Sequence, residues 1–184
     1  MEDKRFLEDE NIYLRPFTRG DVPIWVSWFN DPKVTRYMNK GMVPLTEEDQ
    51  LDHLKKLEDD KKNIQLAIVE KENNRLVGSI GLHNIDWLHR TGSVSVLVGD
   101  RTSWGRGYGA AAISLIVAHA FWKLNLNKVN AGMWANNRAS EESFKKNGFV
   151  LEGRRAQQYF CDGAYVDELN YGLLRSSWQE KNRG

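Results

Sequence analysis

Val98-Gly99-Asp100-Arg101-Thr102-Ser103-Trp104-Gly105-Arg106-Gly107-Tyr108-Gly109-Ala110 decides the reading, because a β-rich run ends where it begins and a long helical period starts where it ends. Three glycines alternate there, at 105, 107 and 109. A helix start leaves backbone N–H groups without intrahelical acceptors and gathers positive dipole, favouring an anion by ~0.3–1 kcal/mol per charge interaction, more when buried. Small residues let a phosphate come close to that backbone. Arg106 offers a further charge to the same anion, unless it is simply solvated. Two other glycine loops fail on context. Gly105-x-Gly107-x-x-Ala110 fits a loose dinucleotide fingerprint, but it comes late in the chain and Val129 to Trp134, the next strand, offers no acid. A Walker loop needs a following Gly-Lys-Ser/Thr, which is absent.

Upstream of the glycines, Ile64–Val69, Leu76–Ile85 and Ser93–Val98 read as an antiparallel meander broken at Glu72-Asn73-Asn74 and His89-Arg90-Thr91-Gly92. Downstream, Ile113, Ile116, Val117, Ala120, Phe121 and Leu124 share one face of a helix predicted over Gly105–Leu124. A strand over Lys128–Trp134 and a helix over Asn136–Lys146 follow, the latter closed by Asn147-Gly148. Phe149 opens another strand, Asp162-Gly163 makes a hairpin turn, and Tyr165–Leu174 is the last strand. Towards the N-terminus, Asn11–Phe17 reads as an edge strand. Val22, Ile24, Trp25, Trp28 and Phe29 make a short helix stopped by Asn30-Asp31-Pro32, and Thr46 caps a second one carrying Leu51, Leu54 and Leu57. Val34 to Pro44, with no clear period, reads as a loop over a site. The order predicts an α/β (α+β) fold in a single domain over 1–184: one mixed, mostly antiparallel central sheet of about seven strands flanked by helices.

The 184 residues carry 26 Lys+Arg against 25 Asp+Glu, a formal net charge of +1, so no basic excess argues for nucleic acid and no polybasic cluster for a membrane surface. No stretch approaches the ~18 consecutive apolar residues of a membrane span, and Met1–Glu10 has no apolar core of an export signal. Cys161 is the sole cysteine, which excludes an internal disulfide and fits a reducing, cytoplasmic setting. No metal-ligand spacing occurs, and the expected state is a monomer or homodimer.

Trp104-Gly105-Arg106-Gly107-Tyr108-Gly109-Ala110 resembles the acyl-CoA pyrophosphate loop of the GNAT superfamily of N-acetyltransferases. Ala135 to Phe149, with Asn137, Ser140 and the closing Gly148-Phe149, resembles that family's second motif, in the right order and about thirty residues further on. Within the family the Rim-type branch, which acetylates protein N-termini, polyamines or amino sugars, is the most similar. The resemblance implies acetyl-CoA as cofactor, its pyrophosphate on the amides of Gly105, Arg106, Gly107, Tyr108, Gly109 and Ala110. Trp104 would stand where many members have Gln or Arg. The pantetheine arm would lie against Leu97, Val98 and Gly99 in a slot made by splayed strands. Asn137 would hydrogen-bond that arm, alongside Ser140. Asn137 also reads as a plain helix cap, a role compatible with the first.

Two departures concern chemistry. Relatives often carry Glu on the strand before the loop, where this chain has Ser93-Val94-Ser95-Val96, and their thiolate-protonating Tyr falls at Phe144. Water, Tyr159 or Tyr171 is left to replace it. Amide formation needs a neutral amine, so a base is required; His83 and Asp86 are the candidates, and three positions apart on a strand they face opposite sides unless a bulge intervenes. Trp25, Trp28 and Trp122 lie in helical periods that read as core, and His53 and His89 read as solvated. Trp87 and Trp134 at strand ends, with Asn30, Arg36 and Tyr37 in the loop after the first helix and Trp28 at its end, are expected around the acceptor. The resulting expectation is direct acetyl transfer to a primary amine: a small amine, an amino sugar or a protein N-terminus. The rivals are a CoA-binding regulatory module without chemistry and a nucleotide-binding oxidoreductase.

Overall fold

The computed structural model describes residues 4–181. Eight strands form one sheet: β1 (Leu7–Glu8), β2 (Ile12–Pro16), β3 (Ile64–Glu70), β4 (Arg75–Asp86), β5 (Thr91–Val98), β6 (Lys128–Trp134), β7 (Val150–Cys161) and β8 (Ala164–Leu174). The helices are α1 (Val22–Phe29), α2 (Pro32–Thr35), α3 (Glu47–Glu58), α4 (Tyr108–Trp122), α5 (Arg138–Lys146) and α6 (Arg175–Lys181). Strand order is β1-β2-β3-β4-β5-β6-β8-β7. Every neighbouring pair is antiparallel except β5–β6, which α4 joins in parallel.

The two faces of the sheet follow from strand alternation. On one, Ile12, Leu14, Ile68, Ile80, Leu82 and Val94 are buried with Ile113, Ile116, Val117 and Phe121 of α4. At ~1.5–3 kcal/mol for each large apolar side chain removed from water, α4 is firmly seated, and its N-terminus is fixed relative to β5. On the other, Tyr13, Ala67, Val69 and Leu76 meet Trp25, Trp28 and Phe29 of α1. A buried bidentate pair, Arg15 to Asp21 at 2.6 and 2.8 Å, pins the turn into α1.

Several expectations need correction. The sheet has an eighth strand, β1, only two residues long and so without a readable alternation. Asn30-Asp31-Pro32 both ends α1 and starts α2, because the Asp31 carboxylate accepts the Lys33 N–H and proline suits the first helical position. The final strand runs into α6 instead of ending the fold. Gly105 and Gly107 precede α4 with φ of +78° and +83°, so the helix begins three residues later than its apolar period suggested. Trp122, expected in the core, is 59% exposed at the end of α4, where it meets Trp178 edge-on at 5.6 Å. His53 is half-buried, bonded to Gln65 at 3.0 Å and packed near Trp25.

Candidate active site

The parallel pairing of β5 with β6 lasts three residues, Thr91–Lys128, Gly92–Val129 and Ser93–Asn130, after which the strands part. The Gly99 N–H bonds back to Val77 of β4. Alternation therefore turns the peptide groups of Val98 and Val96, and the carbonyl of Val94, the other way, into the gap. These are edge groups able to pair with an extended, amide-bearing ligand as a strand would. The Trp104 indole N–H donates to the Val98 carbonyl at 2.8 Å and so closes the far end of that edge.

Above the gap stands the start of α4. Gly107, in the left-handed region, is its N-cap, and the first bond into the helix runs from the Ala111 N–H to the Gly107 carbonyl at 3.0 Å. The preceding amides of Tyr108, Gly109 and Ala110 have no intrahelical acceptor. A Cβ built on Gly105 or Gly107 meets nothing within 4 Å, so the space before these amides is open on the protein side. Arg106 does not reach into it. Its guanidinium bonds Glu70 at 3.1 Å, and Tyr108 Oη donates to the same carboxylate at 3.0 Å. Arg75 holds the other oxygen at 2.7 Å and also reaches Ser103. Glu70, its side chain 1% exposed, thus ties both flanks of the glycine turn to β3. These hydrogen bonds, Arg75's first, hold its carboxyl below the usual range.

The face of the gap opposite α4 is polar. The His83 ring lies across Gly81, and its Nε2 meets Ser95 Oγ at 2.8 Å. Burial, with His53 nearby, lowers the His83 pKa, which favours neutral imidazole. A bulge does separate His83 from Asp86, with Asn84 at φ +51°. Across the gap, Trp134 stacks on Tyr159 at 4.9 Å and 13°, and Tyr37 meets Trp134 edge-on at 6.2 Å. Phe17, Leu54 and Gln65 help line a separate trough of about 540 Å³ between α3 and the β2–β3 edge, away from the glycine turn.

A glycine turn of open amides at a helix start, beside two parallel strands that part, suits a phosphate-bearing ligand with an extended amide arm. The acetyltransferase (GNAT) domain family matches residues 11–150, which span β2 to the start of β7. The chain belongs to the GNAT acetyltransferase family. The spermidine N(1)-acetyltransferase of Vibrio cholerae is 23% identical over 176 residues, covering 95% of this chain and 99% of that protein. A putative ribosomal N-acetyltransferase of Bacillus subtilis is 29% identical over 104 residues, 56% of each chain. A crystal structure of the Vibrio cholerae spermidine N-acetyltransferase with CoA and spermine superposes with a TM-score of 0.84 at 20% identity, over 93% of this chain and 99% of that one.

This GNAT protein is accordingly an acetyl-CoA-dependent acetyltransferase, and its gap and glycine turn fit that ligand: unpaired strand edge for the amides of the arm, unpaired helix amides for the diphosphate. The other expected residues fall as follows. Asn137 caps α5, its Oδ1 accepting the Ser140 N–H at 3.2 Å. Phe144 is 2% exposed and packs edge-on against Phe149, within the α4-side core. Tyr171 Oη is engaged with Glu141 at 2.7 Å on the same side. Tyr159 Oη bonds Glu168 at 2.7 Å, and burial first, then that carboxylate, pushes its pKa up to about 12. Asp86 accepts the His89 N–H at 2.8 Å and is spent on the hairpin, with Trp87 exposed beside it. Trp28 is buried against Gly99, where any Cβ would collide with its ring at 2.0 Å, so it props the end of β5 from below and faces no open pocket. Asn30 bonds both backbone groups of Leu45 at 2.8 Å and fastens the loop, and Arg36 pairs with Asp162 at 2.6 Å. Glu70, Ser95 and Glu168 were not singled out from the sequence. Their closest partners lie 5 to 38 positions away along the chain, on other strands or on the glycine turn, and only the folded sheet fixes which of them meet.

Proposed function

We propose that the protein acetylates a primary amine by direct transfer from acetyl-CoA, with the thioester held where β5 and β6 part and the amine arriving over the face that carries His83 and Trp134. The end of the β5–β6 pairing at Ser93–Asn130 is the observation that carries the reading, because beyond it both strands continue without bonding one another, between the glycine turn and that face. In this reading the amine nitrogen attacks the thioester carbonyl, the C–N bond forms, the C–S bond breaks, and the amine proton passes through the Ser95 hydroxyl to His83 Nε2. A neutral imidazole is ready for that proton at pH 7. Direct transfer agrees with the chemistry of the site: Cys161 is buried, and its thiol donates to the Arg36 carbonyl, which is no base to activate it. One of the two named relatives is a spermidine N(1)-acetyltransferase and the other a putative ribosomal N-acetyltransferase, and they support an amine acceptor without choosing its class.

A panel of alkylamines, amino sugars and peptides, followed by release of free CoA thiol, tests the proposal. Turnover with one class and its loss in His83→Gln is the expected result. The absence of a carboxylate from Ser93 to Val96 and the buried Phe144 favour one other reading, a CoA-binding module without chemistry. Tight acetyl-CoA binding with no thiol release from any amine would establish it.

A further inference from the structure

The carboxylate missing from β5 is present on the other side of the gap. Glu168 of β8 is in register with Trp134, and its Oε1 lies over Gly132, where a built Cβ would be 2.9 Å away. Gly132 is two residues beyond Asn130, the last β6 residue paired with β5, just as Ser95 is two beyond Ser93. Partners in register share a face. Glu168 therefore stands on the β6 lip of the opening while His83 and Ser95 stand on the β5 lip.

Glu168 is 7% exposed. A buried carboxylate needs a counter-charge, and here it has three donors: Tyr159 Oη at 2.7 Å, Arg155 Nη1 at 2.9 Å and Asn170 Nδ2 at 3.5 Å. Arg155 is the loose one, its side chain 66% exposed. An alkylamine is protonated at neutral pH, as a lysine side chain is. Its compact ammonium fits where Nη1 of Arg155 now sits, and exchanging one cation for another leaves no buried charge unpaired. Behind that position Trp134 and Tyr159 stack and Tyr37 closes on Trp134, a flat aromatic wall suited to a slender methylene chain and to the positive charge.

We infer that Glu168 receives the ammonium of the acceptor in place of Arg155, with the chain of a linear primary alkylamine lying along Trp134, Tyr159 and Tyr37, and that this selects alkylamines over amino sugars. The inference rests on the acceptor face named under Proposed function. Held there, the ammonium gives one proton to solvent, and the neutral amine that results has His83 and Ser95 facing it from the opposite lip, ready to take the second proton as the C–N bond forms.

Titration calorimetry of the CoA-loaded protein with n-butylamine, n-butanol and glucosamine tests it. The wild type binds n-butylamine about tenfold or more tightly than n-butanol or glucosamine, the worth of a charge-assisted hydrogen bond. Glu168→Gln erases that preference while keeping acetyl-CoA affinity, and Arg155→Ala strengthens n-butylamine binding. A merely structural Glu168 would move the melting temperature and leave the amine-to-alcohol ratio intact, which would overturn the inference. So would a wild type that treats butylamine and butanol alike. If Glu168→Gln fails to fold, that wild-type ratio and the Arg155→Ala response still decide. Release of CoA thiol from amines with an unchanged amine KM in Glu168→Gln would remove Glu168 and leave acetyl transfer standing. Failure of the protein to bind CoA at all would remove both.

Discussion

Gly107→Ala separates what the glycine turn does for folding from what it does for the ligand. Gly107 has φ of +83°, and a Cβ there meets no protein atom within 4 Å. The cost to the free protein is therefore backbone strain alone, about 1–2 kcal/mol. In a chain of this length that lowers the melting temperature by about 2–8 °C. Gly163, at the tip of the β7–β8 hairpin, has φ of +84° and equally open surroundings, so Gly163→Ala carries a matched strain far from the turn. If the amides beside Gly107 hold a diphosphate, its alanine variant also loses a charge-assisted hydrogen bond of about 1.5–3 kcal/mol, a tenfold to hundredfold rise in Kd. Calorimetric titration with acetyl-CoA and with acetyl-pantetheine, which has no diphosphate, reads the difference. Expected are similar melting temperatures for the two variants, weakened acetyl-CoA binding in Gly107→Ala only, and unchanged acetyl-pantetheine binding in both. Equal acetyl-CoA affinity in Gly107→Ala and Gly163→Ala, or equal loss for both ligands, would refute the placement of the diphosphate.

His83→Gln should lower kcat by about 10²–10⁴ with little change in the KM for acetyl-CoA, whereas Asp86→Asn, at a residue occupied with the His89 amide, should leave kcat unchanged and cost only stability; steady-state kinetics of both variants checks the pair. Lys145 first, with Tyr171 and Arg138, holds Glu141 at about 2 against an ordinary 4.5. A depressed folded-state pKa gives stability that is complete above 4.5 and lost as the pH falls towards 2. Urea midpoints across that window should drop in the wild type and drop less steeply in Lys145→Ala, and parallel curves would exclude Glu141 as a source of acid sensitivity.

Local chemistry made the frame legible. The apolar periods of α4 and β3–β5 and the Asp162-Gly163 turn each carry their signal within a few residues and lie where the sequence placed them, while the glycines mark the entrance to α4 but two of them stand before its start at Tyr108. Elements with too few residues to show a period escaped: β1 has two and α2 four. Trp122 misled because it continues the helical period at a point where α4 ends and only α6 is left to cover it. The polar site was the least legible part. His83 was visible as a titratable residue on a strand, but its bond to Ser95 depends on the β4–β5 register, and the approach of Glu168 to Gly132 depends on β6 and β8, 36 residues apart in the chain, being neighbours. Arg106 looked like a phosphate ligand from its neighbours in sequence. Glu70, buried 36 residues upstream, claims it.

The departing thiolate still needs a proton, and the candidate side chains narrow the source. Phe144 has none, Tyr171 donates to Glu141 on the α4 side, and Tyr159, pushed up to about 12 and bonded to Glu168, holds its proton tightly. His83 is different. Burial lowers its pKa, which makes the neutral imidazole a modest base but makes the imidazolium, once it has taken the amine proton, a stronger acid than an ordinary histidine. A thiol, with a pKa near 8.5, takes that proton downhill. One group then serves both halves of the transfer, and the proton that leaves the nitrogen is the one that quenches the sulfur. Beside the ionisation of the amine itself, the expected pH profile of kcat/KM has one acid limb, below the ordinary histidine value of 6.5, along which activity falls as His83 becomes protonated before the amine arrives. It has no alkaline limb from a tyrosine acid. An alkaline limb that disappears in Tyr159→Phe would show a separate acid at work and defeat the single-group account.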